Sequence, residues 1–279
     1  AFMLSGAACW SLSGALIKLL DWNAFVIAGV RSALAALVLM LFLKAVGRRL
    51  VLSKTIFLIG IAVSMKYVTF VTGNKLTAAA NVIALQYTSP VFVLLFSYLF
   101  LHQKPRRKDV IVSFFAIFGV ALLVCDQFTA QGMLGNLLAL GCGIATAVMY
   151  LTTGKLASYE ESISVIIVGH AITTAFTLPF LAIYPPVWSL KSVGILLLLG
   201  VVQQGIAYIC YSLAIRSSDP VTCSVIAAVE PLLNPVWVFL MVGELPGPIA
   251  LLGAAVVLAS LTGWSVSDVL AAKKQAEKP

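Results

Sequence analysis

The sequence predicts an all-α membrane protein of ten transmembrane helices in two inverted five-helix repeats. Three observations predict it: bulk composition, the length of the apolar runs, and where the basic residues fall. Of 279 residues, 61% are hydrophobic and 10% charged, with mean hydropathy +1.07. An ordinary soluble domain is about 45–50% apolar and about 25% charged. The apolar residues come in runs near the roughly 20 residues that an α-helix needs to cross a bilayer. In lipid, irregular backbone finds no partners for its N–H and C=O groups, so each run reads as a helix.

The spans are expected at 2–20, 24–43, 55–73, 78–101, 109–125, 133–154, 162–183, 192–214, 220–242 and 248–267, with connections too short for a soluble domain. The first lacks a basic leader and an A-x-A-like cleavage site and carries Lys18 late in its run, so it reads as a helix, not a signal peptide. Lys18 is expected to reach out to the membrane surface. The second carries small residues at every fourth position, Ala24, Ala28, Ser32 and Ala36; the sixth repeats this at Gly135, Ala139, Gly143 and Ala147, and the tenth at Ala255, Ala259 and Gly263. Such stripes let helix backbones approach in lipid, and helix packing is sufficient to explain them. The ninth is interrupted near its middle by Glu230, Pro231, Asn234 and Pro235; the fourth carries Gln86, Ser89 and Pro90 at the equivalent point.

The net charge of +8 is explained by its placement. Lys44, Arg48, Arg49 and Lys54 lie between spans 2 and 3; Lys104, Arg106, Arg107 and Lys108 lie between spans 4 and 5; and Lys273, Lys274 and Lys278 lie at the end, whereas the other side carries Lys75 and Lys191. The excess of Lys and Arg in cytoplasmic loops places both ends in the cytoplasm, which requires an even number of spans. Nucleic acid is not the expected partner of this charge. Cys9, Cys125, Cys142, Cys210 and Cys223 all fall within spans, without C-x-x-C spacing or a companion His cluster, and read as small apolar packers, not metal ligands or disulfides.

An offset of 141 residues lays Tyr67 on Tyr208, Phe70 on Tyr211, Pro90 on Pro231 and Pro105 on Pro246. The repeats are therefore set at 1–128 and 129–270, with 271–279 as a cytoplasmic tail. Five helices per repeat is odd, so the second repeat lies upside down relative to the first. That accounts for the basic "LHQKPRRKD" after span 4 and the uncharged-to-acidic "VGELPGP" after span 9. Two inverted halves rocking against each other are the architecture of many secondary transporters.

These stretches resemble a known family. "YTSPVFVLLFSYLFLHQKP" and "AAVEPLLNPVWVFLMVGELP" are similar to the paired signatures of spans 4 and 9 in the EamA family of the drug/metabolite transporter superfamily, as are "VRSALAAL" around Arg31 and "GAACWSLSGALIK" in the first span. The resemblance covers essentially the whole chain. It implies a ten-helix carrier of small metabolites, often working outward. Two residues depart from it: Gln103 stands where the first half of the family often has Glu, and Lys66 is no part of its pattern.

Charge in the middle of a membrane span is expensive and usually faces protein or a pathway. Glu230, Lys66, Arg31 and His170 are each placed near mid-span. Glu230 and Asn234, four apart, share a helix face, and Pro231 removes the helical donor from the carbonyl four residues back. Gln204, Tyr208 and Tyr211 share a face of span 8. The expected substrate-binding set is Lys66, Gln86, Gln204, Tyr208, Tyr211, Glu230, Asn234 and Arg31, with Pro90, Pro231 and Pro235 as kinks or gates. His170 reads as an interior histidine. No metal and no cofactor are expected. The expected activity is secondary-active transport of a small polar metabolite, amino-acid-like and zwitterionic or anionic, by alternating access across a bacterial inner membrane. Protons as coupling ion and a monomer or homodimer are left open. An efflux carrier for lipophilic or cationic drugs is the alternative, disfavoured because two cations face one carboxylate. A membrane-embedded enzyme lacks any H-E-x-x-H, G-x-S-x-G or P-loop.

Overall fold

A computed structural model describes residues 1–102, 104, 106–125, 130–153, 156, 158–217, 226 and 229–276. Helices account for the regular structure, and no strand occurs among the described residues. The first span is two helices, α1 (Phe2–Ser11) and α2 (Ser13–Lys18), followed by α3 (Ala24–Ala45) and α4 (Lys54–Leu76). The fourth is likewise α5 (Ala79–Gln86) and α6 (Ser89–Leu101). Then come α7 (Arg107–Cys125), α8 (Ala130–Thr153) and α9 (Tyr159–Ile183). The eighth span runs as α10 (Leu190–Leu197), a π-helical segment (Leu198–Ile206) and α11 (Ala207–Ser217). Helices α12 (Val229–Val242) and α13 (Pro248–Ala276) close the described chain.

Caps explain several of the starts. Asn23 Oδ1 accepts from Phe25 N at 2.9 Å and Ser53 Oγ from Ile56 N at 3.2 Å, each satisfying an orphan donor. Ser158 and Glu161 form a reciprocal capping box at the head of α9. Among the described residues, six helices are long and apolar enough to cross a membrane, and Phe2–Lys18, Val110–Leu122, Val229–Val242 and Pro248–Ser260 are shorter apolar helices.

Three expectations are corrected. The first span is not continuous: Asn234 Nδ2 of α12 donates to Ser11 O at 2.7 Å and Trp237 Nε1 to Ser11 Oγ at 3.0 Å, so the break at Leu12 lies where a neighbour's side chains insert. Gly14 is required there, because a Cβ on it would sit 2.9 Å from the Asn234 amide. The eighth span is π-helical through its middle, which rotates the residues after it relative to an ideal α-helix. Helix α13 continues to Ala276, past the end expected for the tenth span at 267. The stretch 218–225, Ala227 (whose carbonyl Pro231 was expected to free), Gln103 and Pro105 lie outside the described residues.

Helix α4 packs against α8 and α9, α3 against α9 and the π segment, and α7 against α13. Helices α5 and α6 lie on α8, whereas α12 lies on α1, α2 and α5. At the crossing of α4 and α9 a Cβ on Gly169 would meet Val63 Cγ1 at 2.5 Å, so this contact exists only with glycine. Large apolar side chains such as Phe114, Phe118, Leu137, Leu178 and Leu240 are exposed on the outside of the bundle, the surface that lipid covers.

Polar ties cluster at the two ends. At one end Lys18 is ion-paired with Glu244, Lys75 Nζ donates to Leu20 O at 2.7 Å, and Trp22 meets Trp188 edge-on. Lys18 is thus engaged with protein, not extended to the membrane surface. At the other end Arg48 is ion-paired with Glu160, and Val51 N donates to Ser164 Oγ at 2.9 Å.

Candidate functional site

The break of the fourth span meets the described start of α12. Tyr87 sits at the break between α5 and α6, and its hydroxyl donates to Glu230 Oε2 at 3.0 Å. Glu230, in the first described turn of α12, is 7% exposed, so its carboxylate rests on this bond and on nearby charge. Thr88 Oγ1 donates to Leu85 O at 2.6 Å, and Pro90 occupies the first turn of α6, which together hold the break open. Pro231 stands beside Glu230, and Pro235 lies inside α12, where it removes one helical donor.

Lys66 of α4 is partly exposed and lies within electrostatic reach of Tyr208, Tyr150, Cys142 and Glu230. It forms no ion pair with Glu230; among the described residues the ion pairs are Lys18–Glu244 and Arg48–Glu160. An ammonium and a carboxylate therefore face one region of the bundle without neutralising each other in contact. Gln86 Oε1 accepts from Cys142 Sγ at 3.4 Å. Cys142 is buried as expected of a packer, and its thiol also borders this region.

Aromatic rings line the second-half side. Tyr208 lies edge-on to Trp10 with centroids 5.3 Å apart, and Tyr211 packs on Trp10 at 5.7 Å. Tyr67 and Tyr208, brought into register by the 141-residue offset, face each other at 6.4 Å. His170 stacks on Tyr67 at 4.1 Å. Gln203 and Gln204 are both buried in the π segment, each with an Oε1 that no hydrogen bond satisfies.

Two expected site residues have particular surroundings. Asn234 is fully buried on the break of the first span, where its amide nitrogen holds backbone. Arg31 is 0% exposed, and its three guanidinium nitrogens have no hydrogen-bond partner among the described residues. Its charge faces the Phe70 ring, 5.7 Å from the centroid, a cation–π arrangement. His170 lies within electrostatic reach of both Arg31 and Lys66, and its ring nitrogens make no hydrogen bond.

Tyr87, Trp10, Tyr67, Tyr150 and Cys142 belong to this region and were not expected there. Tyr87 carried a usable signal, a phenol three residues before a mid-span proline; Trp10 and Tyr150 carried none. A cavity of about 480 Å³ at the Glu244 end, lined by residues including Asp21, Trp22, Tyr184 and Lys191, contains none of the expected site residues. Chemically, the arrangement offers a cation for an anionic group, a carboxylate for a cationic group or a proton, and aromatic faces between them.

A profile of the EamA-like transporter family matches residues 1–125 and 133–266. A protein of Clostridium kluyveri described as an uncharacterized transporter is 25% identical over 198 residues, which is 67% of this chain. The match spans 63% of that relative's own length. A solved structure, described only as the crystal structure of a protein, superposes with TM-score 0.67 at 16% identity over 99% of this chain and 98% of its own. It shares the fold. The molecule is a multi-pass membrane protein.

Proposed function

This chain belongs to the EamA-like transporter family, and from that membership we propose a secondary carrier that moves a small anionic or zwitterionic metabolite by alternating access. One observation carries the reading: Tyr87, at the break between α5 and α6, and Glu230, at the described start of α12, meet at 3.0 Å beside Lys66, which forms no ion pair among the described residues. Discontinuous helices with charge at mid-span are where such carriers hold their cargo. The anionic group of the substrate lies at Lys66, its remainder against Gln86, Gln204, Tyr208 and Tyr211, and any cationic group at Glu230. Glu230 is also the group that would exchange a proton with the substrate cycle.

Packing supports ten spans in two inverted repeats, 1–128 and 129–270. Exchanging the first five spans for the last five turns α4 on α8 into the π segment and α11 on α1. The contact of α4 with α9 becomes that of the π segment with α3, and α5 and α6 on α8 become α12 on α1 and α2. The pairs α3 with α9 and α7 with α13 map onto themselves. The basic loops then orient the carrier in a bacterial inner membrane, with the Arg48 end cytoplasmic and the Glu244 end outside. Two cations against one carboxylate disfavour a lipophilic-cation pump. A panel of labelled metabolites in proteoliposomes, with and without a pH gradient, tests the reading. Saturable uptake of an anion or zwitterion is expected; uptake confined to lipophilic cations would sink it.

A further inference from the structure

We propose that Lys18 and Glu244 are the latch of an outer gate whose moving part is the turn Thr77–Ala79 between α4 and α5. The proposal rests on the alternating-access reading above. The turn is held by two side chains of opposite charge, each matched to the backbone group that it meets. Lys18 Nζ donates to Thr77 O at 2.9 Å, and Glu244 Oε1 accepts from Ala79 N at 2.9 Å. The two side chains are themselves ion-paired. Thr77 Oγ1 donates to Asn136 Oδ1 at 2.9 Å, a second tie from the turn to the other half of the chain. Ala79 N heads α5, so Glu244 also satisfies one of the donors that a helix start leaves open.

The chemistry suits a contact that breaks. The Lys18 and Glu244 side chains are 18% and 24% exposed, so water can take over their partners when they part. The latch also has no sequence equivalent at the opposite end. The 141-residue offset that aligns the halves lays Gln103 on Glu244, a neutral amide in place of the carboxylate. The Arg48–Glu160 pair at that end joins the region of α3 to α9, helices that pack on each other directly. The Glu244 end of the carrier is thus fastened by charge across a turn. The resting molecule is closed to the outside, with its site facing the cytoplasm.

The test uses the full chain with its native cysteines replaced by alanine and Gln86→Cys as reporter, reacted with a membrane-impermeant maleimide in right-side-out and inside-out vesicles. The parent should label from the cytoplasmic face and slowly from outside. Glu244→Gln and Lys18→Met should each raise the outside rate by roughly threefold or more, the order expected for a partly exposed pair with its hydrogen bonds. Ala79→Pro removes only the backbone donor, at a helix position that tolerates proline and after an extended residue, and should do the same. It stands in should the charge variants fail to fold. The exchange Lys18→Glu with Glu244→Lys keeps the attraction but sets acceptor against Thr77 O and donor against Ala79 N, so it should stay unlatched. Recovery in the exchanged pair would overturn the strap geometry. Cytoplasmic labelling with unchanged outside rates in the single variants would sink the latch alone; no labelling from either face in any variant would sink the site reading along with it.

Discussion

Glu230→Gln keeps the shape of the side chain and an oxygen able to accept from Tyr87, while removing the charge. If the carboxyl exchanges protons, pH-gradient-driven accumulation in proteoliposomes should vanish while substrate exchange across the membrane persists, since exchange needs only the loaded carrier to reorient. Normal gradient-driven uptake in the variant would remove Glu230 from coupling. Lys66→Met keeps much of the stem and removes the ammonium. Loss of a charge-assisted contact is worth about 1.5–3 kcal/mol, so transport of an anion should fall by roughly 10- to 100-fold. Arg31 differs from Lys66 in being sealed without a polar partner. A buried charge without a partner is costly, so Arg31→Met should raise the melting temperature in detergent, whereas Lys66→Met should leave it nearly unchanged. A fall in the Arg31→Met melting temperature would show that the Phe70 ring outweighs the missing hydrogen bonds.

At the scale of helices, the contact of α4 with α9 depends on a missing Cβ. Gly169→Val places carbon where Val63 already lies and should cost about 1–3 kcal/mol, read as a lower melting temperature and poorer expression. Asn234→Ala removes the amide that enters the break of the first span and leaves Ser11 O with one partner fewer. A loss of about 1–3 kcal/mol is expected, with substrate affinity altered less than by Lys66→Met. The apolar helices were legible in the sequence because length and hydropathy are properties of a segment alone. Their breaks were not: the one after Ser11 depends on Asn234, 223 positions from Ser11, and the π segment shows no proline to announce it. The same division holds in the site. Lys66 and Glu230 stood out as charges inside apolar runs, whereas Tyr87 becomes meaningful only through a partner 143 positions along the chain. Asn234 shared a helix face with Glu230 in the sequence, yet it serves the neighbouring helix's backbone.

The proposed orientation of the whole molecule rests on its basic loops. A single cysteine at Pro186 should react with an impermeant maleimide from outside intact cells and one at Arg107 should not; the reverse pattern would invert the topology and every assignment of outer and inner ends with it. Inversion would leave the packing symmetry untouched, because exchange of the halves maps contact onto contact whichever way the bundle is inserted. Glu230 has a consequence at this scale too. It is the carboxylate that receives the Tyr87 hydroxyl at the break of the fourth span. A cycle built on one carboxyl moves at most one proton per turnover, and that fixes an energetic ceiling. Carried with a monoanion, the proton makes the step electrically silent, so accumulation follows the pH difference alone and a potassium diffusion potential leaves it unchanged. Carried with a zwitterion, one net charge crosses the membrane, worth about 2.3 kcal/mol, or roughly a fiftyfold concentration ratio, for every 100 mV. The voltage dependence of accumulation would therefore report the charge of the cargo before its identity is known.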